Sequence, residues 1–345
     1  MHLLESLPTV IGTAAVAPAL LMLWLVIAAG DRPGPAARVW TAFFLGAASI
    51  SLLGAVRAPF ASMAGAPENP WFALALHSIF GVAAPEETLK VLVIVAVSAR
   101  RRPSADPMDT IVYGAAAGLG FAAYENLAYL VQHAEIWRSL AALRSVLTVP
   151  FHGALGIIAG AYLAIARSGT ALGAHRHHRD RARIASWFLI LFAPLALHAG
   201  FDFPLLTLRQ NPDLAPSTRL MLGAASILIG FSSIGFAIRL VRRVGRHQAP
   251  RTDIARARLS QLRRMWALWV TGGAAGFIGL AFVLTSIHHW LVNPEHNVAV
   301  VLVPIGLLSI LIGGGLLLLT TAIYVFGRNR MRATGSGFST APGRG

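Results

Sequence analysis

WFALALHSIFGVAAPEETLKVLVIVAVSA, residues 71–99, is a long apolar run broken only by His77 and by the polar stretch from Glu86 to Lys90. A helix needs about 20 consecutive apolar residues to cross a hydrocarbon core of about 30 Å, and this run exceeds that. Two glutamates and a lysine inside it cannot face lipid at low cost. Ionisable residues within a membrane span turn to the bundle interior, pair with one another and mark functional sites. The run therefore predicts two things together: a bundle of membrane helices, and a polar site enclosed by it.

The rest of the chain follows the same pattern. It has 345 residues, 56% of them hydrophobic and only 12% charged, with a mean hydropathy of +0.64. In soluble domains the charged share is about a quarter. Scanning for runs of about 18 or more residues with few charges predicts nine spans. They fall at 9–29, 39–56, 71–99, 109–131, 145–166, 184–206, 217–238, 265–286 and 298–326. The first lacks a basic leader and reads as a retained anchor. The chain is thus expected to be an all-α polytopic protein of the cell membrane. Residues 1–326 would form the transmembrane domain, with a catalytic core at about 71–206, and 327–345 a basic, disordered, cytoplasmic tail.

Charge distribution assigns an orientation to these spans. Of the 29 basic residues, 5 flank one set of alternating span ends and 23 the other, with Lys90 inside a span. Basic residues collect on the cytoplasmic side, so the N-terminus is expected outside and the C-terminus in the cytoplasm. The formal net charge of +15 does not point to nucleic acid, because the basic residues are scattered between apolar runs with no nucleic-acid-binding motif. The longest connections, 167–183 and 239–264, are basic, and the second suits an anionic lipid surface. His175, His177 and His178 lie among arginines and read as a solvated face. With no cysteine, catalysis has only carboxylates, imidazoles, hydroxyls and amines to use.

Ionisable residues concentrate in the third to sixth spans: Glu86, Glu87, Lys90, Glu125, His152, His198 and Asp202. At about 1.5 Å of rise per residue, the acidic and histidine groups come to roughly 6–12 Å below the outer boundary. Facing agrees with depth. Gly114, Gly118 and Glu125 form one stripe, as do His152, Gly156 and Gly160, and small-residue stripes mark close helix packing. His198 and Asp202, at i and i+4, can converge on one ion or proton. Pro85 has no N–H and is expected to kink or break its helix, placing Glu86 and Glu87 at a helix N-terminus, where negative charge is favoured. Each residue alone has a structural explanation, such as a Glu86–Lys90 ion pair or a turn cap at Asp202. Shared depth and facing argue for one site.

Four motifs lie in order on four spans. EETLK (86–90) has the form E-E-x-x-K, FAAYEN (121–126) the form F-x-x-x-E-N, PFHG (150–153) supplies His152, and HAGFD (198–202) has the form H-x-x-x-D. With DPMDTIVYGAAAGLGFAAYEN (106–126), this order resembles the PrsW family of intramembrane proteases, related to the type II CAAX prenyl endopeptidases. The resemblance covers about residues 71–206. It implies an endopeptidase that cleaves membrane-anchored, anti-sigma-factor-like proteins near the extracytoplasmic face. It further implies Glu86 and Glu87 as the catalytic pair beside Lys90, and Glu125, His152, His198 and Asp202 as ligands of a divalent metal. Glutamate and histidine ligands suit zinc, which brings the pKa of bound water to about 7. No H-E-x-x-H is present, so a metal-free scheme with Glu86 or Glu87 as base is the alternative. A proton- or cation-coupled transporter using the same carboxylates is the competing function.

Overall fold

The computed structural model describes residues 2–29, 36–65, 67–99, 107–168 and 176–245. Its chain divides into two units, Met1–Pro250 and Arg251–Gly345, and every described residue lies in the first. Among the described residues the fold is entirely helical. The elements are α1 (His2–Ala29), α2 (Ala36–Ser49), α3 (Leu53–Ala64), α4 (Pro70–Leu76), α5 (Ala84–Ala99), α6 (Pro107–Gln132), α7 (Trp137–Val146), α8 (Thr148–Ser168), α9 (Arg176–Gln210) and α10 (Pro216–Gly245). Five helical stretches are long and apolar enough to cross a membrane: Val10–Ile27, Ala36–Met63, Ala134–Arg167, Arg183–Gln210 and Pro216–Gly245. The two further spans expected at 71–99 and 109–131 are also helical, but their polar residues leave them outside these five. The spans expected at 265–286 and 298–326 lie outside the described residues.

Helix α6 is the centre of the bundle. It packs most extensively against α8, and also against α1 and α2. Glycine makes these contacts possible. A Cβ on Gly114 would collide with the carbonyl of Gly156, one on Gly156 with the carbonyl of Gly114, and one on Gly118 with the carbonyl of His152. On the opposite side of α6, a Cβ on Gly120 would strike the carbonyl of Phe43 in α2. The small-residue stripes of the sequence therefore bring helix backbones into direct contact. This contact fixes the position of His152 against α6. Apolar bulk faces outward: Phe44, Phe72, Phe188, Leu220, Met221 and Leu228 are all exposed. Polar groups such as Glu87, Lys90, His152 and His198 are inside. Burying polar groups while exposing large apolar ones matches a lipid solvent.

Pro85 does not break its helix. Helical structure continues from Pro70 to Ala99, and His77–Ala83 is wound as a π-helix in which the Ala84 N–H donates to the carbonyl of Ile79. The wider turn accommodates a residue that has no N–H to give, so the break that Pro85 could have caused does not occur. It also resets the register before α5, so Glu86 and Glu87 stand in that helix's first turn. A second departure lies between α6 and α8. The connection expected there is a short helix, α7, docked on α1 and α6 through Ala141, Trp137 and Leu140 against Ile11, Ala15 and Leu130.

Candidate active site

The first two turns of α5 project three charges inward. Glu86, Glu87 and Lys90 are all buried, Lys90 at 1% exposure. Lys90 Nζ donates to Glu87 Oε1 at 2.7 Å and lies 3.7 Å from Glu86 Oε2. It also sits 4.2 Å above the centre of the Phe121 ring, whose face attracts a cation. The apolar run of residues 71–99 thus holds its charges by mutual neutralisation and an aromatic face, not by the helix N-terminus expected from Pro85, because the helix continues through that point.

Helix α9 supplies His198 and Asp202. His198 Nδ1 lies 2.6 Å from Glu87 Oε1, and Nε2 lies 3.2 Å from Asp202 Oδ2. Each ring nitrogen therefore meets a carboxylate oxygen. The ring edge packs on Phe151, which stacks on Phe201 with centroids 4.2 Å apart. From the π-helical turn, Ser78 Oγ donates to the carbonyl of Ala199 at 2.6 Å, tying that turn to the residue after His198.

Helices α6 and α8 supply Glu125 and His152. His152 Nε2 is 2.9 Å from Glu125 Oε2, and Nδ1 is 2.9 Å from Lys90 Nζ. A lysine ammonium only donates, so Nδ1 must accept and the ring proton sits on Nε2, toward Glu125. The rings of His152 and His198 are 5.2 Å apart. All seven residues singled out in the sequence therefore join one cluster. Glu125 and Asp202 are its open edge, with side chains 20% and 19% exposed.

One member of the cluster went unrecognised in the sequence. Arg144, on α7, is buried and places Nη2 2.8 Å from Glu125 Oε2. Its Nε donates to Asn126 Oδ1 at 2.6 Å, and its guanidinium lies 4.1 Å over the Tyr129 ring. Sequence reading takes Arg144 as a charge flanking a span. The overlooked signal is the spacing Trp137, Leu140, Ala141, Arg144, which is i, i+3, i+4, i+7 and puts the arginine on the buried face of a short helix.

A model of the PrsW family intramembrane metalloprotease matches residues 34–231. The chain belongs to this family. It is 35% identical to Protease PrsW of Bacillus subtilis (strain 168) over 123 residues, which is 36% of this chain and 51% of that protein. It is 28% identical to Protease PrsW of Oceanobacillus iheyensis over 191 residues, 55% of this chain and 80% of that one. Protease PrsW of Shouchella clausii matches at 31% over 120 residues, 34% of this chain and 49% of that protein. The chain thus spans about half the length of the first and third of these relatives. No solved structure matches it. PrsW membership and the apolar helices make this a multi-pass protein of the cell membrane.

The metal that the PrsW family description names has a donor set here. One oxygen of Glu86 and one ring nitrogen each from His152 and His198 lie within 4.8 Å of one another. Glu86 Oε2 is buried without a hydrogen-bond partner, as an oxygen reserved for a ligand would be. A carboxylate with two imidazoles suits zinc. The residues present therefore fit such an ion. This grouping differs from the sequence expectation in that Glu86 joins the two histidines, while Glu125 and Asp202 each contact a histidine nitrogen.

Proposed function

We propose that this chain is an intramembrane endopeptidase that hydrolyses peptide bonds of membrane-anchored regulatory proteins, of the anti-sigma-factor type, near the extracytoplasmic face. The observation that carries this reading is the convergence of carboxylates and imidazoles from α5, α6, α8 and α9 on a single buried cluster. The proposed topology has nine crossings, the N-terminus outside and the C-terminus in the cytoplasm, and the basic-residue asymmetry supports it. Family membership weighs against a transporter built on the same carboxylates.

Peptide hydrolysis needs a base for the water proton, a means of returning that proton to the leaving nitrogen, and a fixed geometry for both. Glu86, His152 and His198 would hold the divalent metal, zinc by donor type, which when bound lowers the pKa of its water to about 7 and polarises the carbonyl. Glu87 is the base in this reading. Its Oε1 is held by Lys90 at 2.7 Å, and its Oε2 is buried without a hydrogen-bond partner. That oxygen takes the proton from water and delivers it to the leaving nitrogen. Lys90 balances the charge of the glutamate pair. Glu125 contacts His152 Nε2 and Asp202 contacts His198 Nε2, as carboxylates do around metal-binding imidazoles, so a metal taking the Nδ1 atoms would displace Lys90 from one ring and Glu87 from the other. The partial exposure of Glu125 and Asp202 supplies the route for water.

Cleavage of a single-pass membrane substrate in proteoliposomes tests this reading. Glu87→Gln, Glu86→Ala and His198→Ala are each expected to abolish cleavage, by roughly 10²-fold or more, while the protein still inserts. Undiminished cleavage by Glu87→Gln would remove Glu87 from its role. Metal content of purified protein, wild type against His198→Ala, tests the metal separately: the variant is expected to lose it.

A further inference from the structure

We propose that Arg144 is a positioning residue of the site, fixing Glu125 so that Glu125 in turn orients His152. The inference rests on the hydrolase reading for its kinetic consequence but not for its geometry. Arg144 lies on α7, outside the four motif-bearing helices.

Three contacts hold the guanidinium, all from α6: Glu125 at 2.8 Å, Asn126 at 2.6 Å and the face of Tyr129 at 4.1 Å. The orientation of the Asn126 amide is set independently, because its Nδ2 donates to the carbonyl of Ala15 in α1 at 3.4 Å, leaving Oδ1 for Arg144. Arginine is suited to this place, since its planar fork can meet two acceptors while its face stacks on an aromatic ring. The contact with Glu125 falls on Oε2, the same oxygen that His152 Nε2 approaches at 2.9 Å. One carboxylate oxygen thus sits between the α7 cation and the α8 imidazole.

Without Arg144, Glu125 is free to rotate toward the water at its exposed edge. His152 then loses the partner that keeps its ring proton on Nε2 and Nδ1 directed at Lys90. A purely mechanical role for α7 would need only its apolar contacts. Those are made by Trp137, Leu140 and Ala141, without the cation.

Two readouts test the proposal, one independent of activity. In detergent-solubilised protein labelled with ¹⁵N-histidine, Arg144→Gln is expected to shift the His152 ring resonances, and Arg144→Lys to restore them in part. An unchanged His152 signal in Arg144→Gln would overturn the proposal whether or not the protein cleaves anything. In the cleavage assay, Arg144→Gln is expected to lose roughly 10- to 100-fold in kcat. Glu125→Gln combined with Arg144→Gln is expected to be no slower than Glu125→Gln alone, because the arginine acts through the glutamate. Losses that multiply in the double variant would assign Arg144 to stability instead. If the wild type cleaves no substrate while the resonances respond as stated, the hydrolase reading fails and the positioning role stands.

Discussion

Lys90 Nζ and His152 Nδ1 are 2.9 Å apart, so the ammonium of α5 takes the lone pair of an imidazole on α8. The same ammonium donates to Glu87. It therefore bridges a carboxylate and an imidazole at the centre of the charge cluster. A metal bound at His152 Nδ1 would compete with it for that lone pair.

Replacing this lysine should make the protein depend on metal for its stability. In Lys90→Met two buried glutamates lose their cation, and leaving a buried charge uncompensated costs about 3–5 kcal/mol. Thermal unfolding in detergent is expected to show a lowered Tm in chelator, and a larger rise on adding zinc than in the wild type. Equal rises in the two proteins would show that Lys90 and the metal do not share ligands.

Asp202 meets the Nε2 side of His198, with 3.2 Å between them. Asp202→Ala is expected to reduce kcat by roughly 10- to 100-fold, the range for a residue that orients a metal-binding imidazole. Asp202→Asn keeps an oxygen acceptor and should fall less. Kinetics on the two variants side by side checks this, and equal losses would exclude an orienting role for the acceptor.

The glycines of α6 and α10 should respond in opposite ways to one added methyl. A Cβ at Gly118 would collide with the backbone of His152, whereas one at Gly223 meets nothing within 4 Å. Gly118→Ala is expected to destabilise by about 1–3 kcal/mol and to impair cleavage by displacing His152. Gly223→Ala should be neutral or stabilising by up to about 1 kcal/mol, since alanine is the better helix former. Melting curves for both variants decide it.

Ser78 is the polar link between the π-helical turn and α9. Removing its hydroxyl leaves the Ala199 carbonyl without that donor, so Ser78→Ala should cost about 1 kcal/mol of stability. Because Ala199 adjoins His198, a fall in kcat is expected beyond what the Tm change explains. A stability loss with kcat unchanged would show that the π-turn bears on packing alone.

Much of the site was legible before any coordinates. Hydropathy placed seven of the nine expected spans on helices among the described residues, because a lipid solvent demands long apolar runs. The spacing of glycines and ionisable residues along α6, α8 and α9 put them on inward faces, because helical periodicity is a local property. Glu86, Glu87, Lys90, Glu125, His152, His198 and Asp202 do lie together. Arg144 was missed because α7 is too short and too polar to stand out by hydropathy, although its i, i+3, i+4, i+7 spacing was present. The π-helical turn before Pro85 was not foreseen, because the break that a missing N–H can cause is avoided here by widening the helix, and neighbouring helices decide which occurs.

From the amino-acid order alone came the helical class, the membrane as solvent, and the inward facing of the seven ionisable residues of the third to sixth spans. Partnership came only with the fold. Which glutamate Lys90 grips more closely, which oxygen Arg144 and His152 share, and which acid joins the two imidazoles depend on differences of about an ångström between helices. Those distances are set by how closely α6 approaches α8 through Gly114, Gly118 and Gly156, and by the register that the π-turn gives α5. Periodicity is written along one helix, whereas contact between charges is a property of several packed together.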